Sequence, residues 1–193
     1  SLSIEDFYTP LGEIKNDIFF VEQLIKKNKG LDLSVDEEPH RYEHSIEVQL
    51  PFLQLRKNFK IVAILVRDLN LEEIKEFAQM ISQVAKNKKV FVLASSDFTH
   101  YGPNYSFMPF KNNIKENLYK LDDNAIEQIL RLNVLEFLNK ASETICGKIP
   151  IACCIEICKA LGAKKAEKLC YYTSGDITGE WSNVVGYSSI VFY

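Results

Sequence analysis

A chain of 193 residues with 47% hydrophobic and 25% charged side chains is long enough for one sizeable core and has the balance of an ordinary globular domain. Its net charge of -3, with Arg41, Arg56, Arg67 and Arg131 the only arginines among 23 basic residues, excludes the clustered cationic face that phosphate backbones require, so nucleic acid is not an expected partner. Apolar runs such as 61–66 fall far short of the roughly 20 residues a membrane-spanning helix needs, and Ser1-Leu-Ser-Ile-Glu-Asp6 has neither the basic nor the apolar region of a signal peptide.

Residues 1–16 read as irregular, with Thr9-Pro-Leu-Gly12 as turn punctuation. A helix is predicted over 17–29, where Ile18, Val21, Leu24 and Ile25 share one face and Gly30 can take the left-handed closing position. The acidic stretch 31–42 reads as a loop. A second helix is predicted over 45–58, with Pro51 either kinking it or marking its real start. Residues 59–66 read as a strand, 71–86 as an amphipathic helix with Ile74, Phe77, Ala78, Ile81 and Val84 inward, and 90–96 as a second strand. That strand–helix–strand order implies parallel pairing with a right-handed crossover.

An aromatic-rich loop follows at 103–110, then helical patterns at 112–121, 123–132 and 134–141. Pro150 opens a helix that Gly162 stops. The chain ends with a strand at 169–173, a polar turn at 174–179 and a strand at 184–193. The expected fold is a single α/β domain over 1–193. It is layered helix–sheet–helix around a mixed, mostly parallel sheet whose last pair is antiparallel.

The chemistry gathers where the apolar run 90–94 turns into Ser95-Ser-Asp-Phe-Thr-His-Tyr-Gly102. Polar groups at the carboxyl end of a strand in an open α/β sheet face a ligand crevice. Asp97 with His100, and Glu43 with His44, pair a carboxylate with an imidazole, as a metal ligand with its orienting group or a general base does. His40, in a charged loop, reads as a locally bonded turn residue. Cys146 lies just ahead of the Pro150 helix, where the helix dipole and Lys148 would favour a thiolate. Cys153, Cys154 and Cys158 lack zinc-knuckle spacing and read as packing residues, as does Cys170. Five cysteines, an odd number, point to reduced thiols and a cytoplasmic location rather than a disulfide framework.

Four blocks, Glu43-His-Ser-Ile-Glu-Val-Gln-Leu-Pro-Phe52, Ser95-Ser-Asp-Phe-Thr-His-Tyr-Gly102, Thr144-Ile-Cys-Gly147 and Ser174-Gly-Asp-Ile-Thr-Gly179, resemble those of Memo-like proteins, known in prokaryotes as AmmeMemoRadiSam system protein B. The closing Val184-Val-Gly-Tyr-Ser-Ser-Ile-Val-Phe192 and the opening Thr9-Pro-Leu-Gly12 fit as well. The resemblance implies a fold similar to class III extradiol dioxygenases and a pocket that binds iron or copper, with Cys146, His100 and His44 as site residues and Asp97 and Glu43 beside them. It also implies two further ligand blocks, Pro-His-Ala-Gly-Tyr and Gly-Pro-x-His, ahead of the matching region. Neither occurs here, and the chain starts at Ser1 with Met80 and Met108 as its methionines, as a partial chain would. An incomplete metal shell with weak or no binding is therefore expected, together with a sheet open at one edge that invites pairing with a second copy.

Three readings stay open from these residues. One is a metal protein with redox or dioxygenase-like chemistry. The second is a module presenting the same pocket to a small molecule, a peptide or a protein, with Tyr101–Phe110 as contact surface. The third is a hydrolase or transferase using Cys146 as nucleophile and His100 as base.

Overall fold

The structure, a computed structural model, describes residues 1–55 and 59–193, so the last part of the helix expected over 45–58 lies outside the described residues. The chain divides into two compact units, Ser1–Phe91 and Val92–Tyr193. Each mixes helices with a small antiparallel sheet, which makes the fold α/β. The expected mostly parallel sheet is not found among the described residues. Every named ladder is antiparallel, and parallel pairing is confined to the isolated bridges Leu2–Val35 and Asn16–Ile61.

In the first unit, β1 (Phe7–Thr9) and β2 (Gly12–Ile14) form a hairpin whose register runs from Phe7 opposite Ile14 to Thr9 opposite Gly12. The Pro-Leu-Gly turn is where the sequence places it, but three-residue strands are too short to reveal themselves by alternation. α1 (Ile18–Lys27) starts at Asp17, whose side chain accepts from the Phe20 amide, and it closes at Asn28 rather than Gly30. α2 (Glu38–Arg41) is one turn within the acidic loop. A 3-10 turn over Glu47–Gln49 leads into α3 (Leu50–Leu53), so Pro51 stands in a first helical turn, where its missing N–H has no intrahelical partner to lose.

α4 (Leu71–Ala85) begins with a capping box between Asn70 and Glu73. It buries Ile74, Phe77, Ala78, Ile81 and Val84 as its periodicity predicts, and packs on α1, where Val21 and Leu24 are also buried. The run 59–66 makes bridges instead of a ladder: Ile61 pairs with Asn16 and Ile64 with Leu2, while Ser3 donates to the Ala63 carbonyl at 3.1 Å.

In the second unit, β3 (His100–Tyr101) precedes α5 (Ile114–Leu130), α6 (Val134–Lys140) and α7 (Lys148–Ala160). Then come β4 (Ala166–Thr173), α8 (Ser174–Thr178) and β5 (Val184–Phe192), which lies between β3 and β4. β4 is bulged between Lys168 and Cys170, a device that spoils an edge for further pairing.

Two findings differ from the sequence pattern. The helical stretches expected over 112–121 and 123–132 form one helix, α5, and Asp122 between them is fully buried with partners of its own. The ladder also forms later than expected. Residues 90–96 belong to no named strand, and Phe91 is 79% exposed. Pairing instead covers 98–101, with Phe98 donating to Gly186 at 2.8 Å and Gly186 to Thr99 at 3.0 Å. Apolar content marks a segment fit for a sheet but does not name its partner strand. Among the described residues no helix is long and apolar enough to cross a membrane.

A candidate thiol, imidazole and carboxylate site

The polar block 95–100 and the loop 142–147, far apart in sequence, are pinned together by two backbone donors. The His100 amide donates to Thr144 Oγ1 at 3.0 Å, and the Gly147 amide to Ser96 Oγ at 2.9 Å. The Thr144 hydroxyl is itself held by Ser142 Oγ at 3.1 Å. Gly147 is buried, and a Cβ there would overlap the Ser96 side chain, so glycine is what permits the approach.

The contact sets Cys146 Sγ 3.9 Å from Ser96 Oγ, with Cys146 exposed. The single hydrogen of Ser96 Oγ goes to the Asp97 carbonyl at 2.7 Å, so the thiol is the donor in the sulfur contact. Lys148 Nζ is engaged by the Ala141 carbonyl at 3.4 Å. Cys146 stands immediately before Gly147, the N-cap of α7, which opens at Lys148 and carries Pro150 within its first turn.

His100 is held on β3 with its ring 4.9 Å from that of Tyr105, inclined at 54°. Its Nε2 lies 3.5 Å from Asp97 Oδ2. That nitrogen is sealed from solvent and has no hydrogen-bond partner among the described residues, so the carboxylate stands close to it without hydrogen bonding to it. Tyr187 belongs to the same neighbourhood. Burial, then the Asp97 and Tyr105 charges, push its phenol pKa up. The aromatic loop is less of a surface than its composition implies, because Tyr101 is buried and stacks on Phe110 at 4.9 Å, leaving Tyr105 and Met108 outward.

The other pairing lies in the first unit. Glu43 Oε1 accepts from the His44 and Ser45 amides at 2.8 and 2.7 Å, and these bonds, that from Ser45 foremost, hold its carboxyl pKa down. The His44 side chain is 84% exposed, with Nδ1 3.8 Å from the same oxygen. His40 bonds across the unit, its Nε2 3.3 Å from Ser1 Oγ, and burial lowers its pKa.

Iron or copper needs at least three converging donors from this chain. The orphaned His100 Nε2 beside Asp97 supplies a pair with a suitable bite. Among the described residues, however, no group of three or more His, Cys, Asp and Glu side chains is arranged to hold a metal ion. These residues therefore do not fit a metal by themselves. All five cysteines are free; Cys153 and Cys154 are buried as packing residues, whereas Cys170, expected to pack, is exposed on a strand most of whose residues are exposed. Ser96, Thr144 and Gly147 escaped the sequence reading as positioning groups, although all three lie inside the blocks that carried the resemblance.

Comparison with known proteins bears on this arrangement. A sequence model described as Memo-like protein matches residues 1–191. A MEMO1 family protein of Methanocaldococcus jannaschii is 41% identical over 95% of this chain and 63% of its own length. Others are those of Nitrosopumilus maritimus, at 39% over 95% and 64%, and Aquifex aeolicus, at 37% over 95% and 66%. The chain thus spans less than two thirds of the length of these curated relatives.

Proposed function

The chain belongs to the Memo-like protein family, and from that premise we propose that its second unit carries the thiol, imidazole and carboxylate portion of a redox metal site. Cys146, His100 and Asp97 are its working groups. The observation that supports this reading is the double pin, His100 to Thr144 and Gly147 to Ser96, which draws the cysteine loop onto the histidine strand. Iron or copper is the metal class that the resemblance implies. A thiolate with an imidazole suits such ions, and the remaining donors must come from beyond this trio. The chain alone is expected to bind iron or copper weakly.

Titrating the purified chain with cobalt(II), a spectroscopic stand-in, tests the assignment. Weak binding is expected, with a thiolate charge-transfer absorption that Cys146→Ser abolishes and His100→Ala diminishes. Iron retained stoichiometrically through purification, or cobalt binding untouched by both substitutions, would overturn it.

A further inference from the structure

Asp122 on α5 is fully buried, and among the described residues no cation pairs with it. Its Oδ1 accepts from Thr99 Oγ1 and its Oδ2 from the Tyr171 hydroxyl at 2.7 Å, while the Thr99 amide approaches both oxygens at 3.4 Å. β5 is pressed against this carboxylate: a Cβ on Gly186 would overlap Asp122 Oδ2 and stand 2.8 Å from the Tyr171 oxygen and 3.2 Å from Phe98 Cβ. The same Gly186 exchanges backbone hydrogen bonds with Phe98 and Thr99. Burial pushes the Asp122 pKa up, and the Thr99 and Tyr171 donors oppose that push.

A carboxylate is a costly way to fill a core unless its directionality is used. We propose that Asp122 is a positioning residue for the site, fixing Thr99 and through it the seat of the adjacent His100 imidazole. The link is covalent on one side, since Thr99 precedes His100, and hydrogen-bonded on the other. The proposal rests on the reading of His100 as a working group.

The chain has only three histidines, so ring-labelled protein gives three assignable imidazole signals, His40, His44 and His100. Asp122→Asn puts an amide donor where Thr99 and Tyr171 donate. Thr99→Val keeps the shape of threonine without the hydroxyl, and Thr99→Ser keeps the hydroxyl. Asp122→Asn and Thr99→Val should shift the His100 ring signal by more than its linewidth and leave those of His40 and His44 in place, while Thr99→Ser stays near wild type. Ile126→Ala, a buried α5 change of the merely destabilising kind, should leave His100 unmoved. An unmoved His100 signal in Thr99→Val, or an equal shift in Ile126→Ala, would overturn the proposal, and the Thr99 pair decides if Asp122→Asn does not fold. The readout needs neither metal nor turnover. A failed cobalt titration would leave the seating of His100 by Asp122 and Thr99 standing but remove the site it serves, and a failed ring shift would leave the metal reading standing.

Discussion

Replacing Gly147 with alanine tests the meeting of the two loops directly. Gly147 has φ -94° and ψ 30°, backbone that alanine adopts without strain, so any cost comes from the new methyl group. That methyl would overlap Ser96 Cβ and Oγ and lie 3.3 Å from the Ser95 carbonyl. Overpacking of this kind costs about 1–3 kcal/mol. Displacing Ser96 also weakens its 2.9 Å bond from the Gly147 amide, which contributes about 1 kcal/mol. The reduced freedom of the unfolded alanine chain offsets about 0.4–1 kcal/mol. The balance is a loss of about 1–3.5 kcal/mol, read as a fall in urea midpoint at unchanged m-value. Ser96→Gly removes both overlapping atoms, so in that background Gly147→Ala should be close to neutral, giving a coupling energy of about 2 kcal/mol. A cost below about 0.5 kcal/mol, or one that persists when Ser96 is glycine, would refute the claim that the cysteine loop is seated on Ser96.

Brief maleimide treatment of the native chain, followed by peptide mass analysis, should label Cys146 and Cys170, both exposed, while Cys153 and Cys154 react only after denaturation. Burial pushes the Cys153 thiol up to about 12, so labelling of Cys153 as fast as that of Cys146 would contradict its place in the core. Asp176 accepts from the Thr173 amide at 2.8 Å and the Tyr119 hydroxyl at 2.7 Å and pairs with Lys115 at 2.7 Å. Burial works to raise its pKa, but these partners outweigh it and hold the carboxyl far below the usual range. A depressed folded-state value means stability present above the ordinary carboxylate pKa and lost as pH falls toward the folded value. Asp176→Asn should therefore cost about 1–2 kcal/mol near neutrality, and its gap from wild type should close as pH drops below about 4; a gap constant with pH would refute the ion-pair account. Phe137→Ala empties a fully buried site on α6 and should cost about 3–5 kcal/mol in urea denaturation.

The elements legible in the sequence are those whose own periodicity buries a face. α4 carries its cap, stripe and stop within 70–86, and α7 lies between Gly147 and Gly162, so local signals suffice. The run 90–96 shows the opposite case. Its β-branched, apolar composition is indistinguishable from that of a central strand, but pairing is a property of two segments, and the segment that β5 selects is 98–101, two of whose residues are a threonine and a histidine. Asp122 hid for a related reason. An aspartate in a helical pattern reads as a surface or breaking residue, and only the arrival of Thr99 and Tyr171 makes its burial tolerable. For the site, chemistry-bearing residue types were visible as blocks, while the groups that seat them, Thr144 and Ser96, carry no signature beyond membership of those blocks.

Two histidines hold a buried ring nitrogen without a hydrogen-bond partner among the described residues, and they differ in their surroundings. His40 Nδ1 is one, but its other nitrogen contacts Ser1 Oγ, and the ring ties the first strand-like residues to the acidic loop. His100 Nε2 is the other, and its surroundings differ in kind. A carboxylate stands 3.5 Å away, a phenol ring inclines over the imidazole, and the backbone of the same residue anchors the loop that carries an exposed thiol. An orphaned buried polar atom costs about 1–3 kcal/mol, a burden a fold retains readily where the atom has a further task. At His100 the same cost falls on the residue whose backbone amide anchors the loop that carries Cys146, so Nε2 is the atom whose chemical shift and metal response most sharply divide a working site from a structural one.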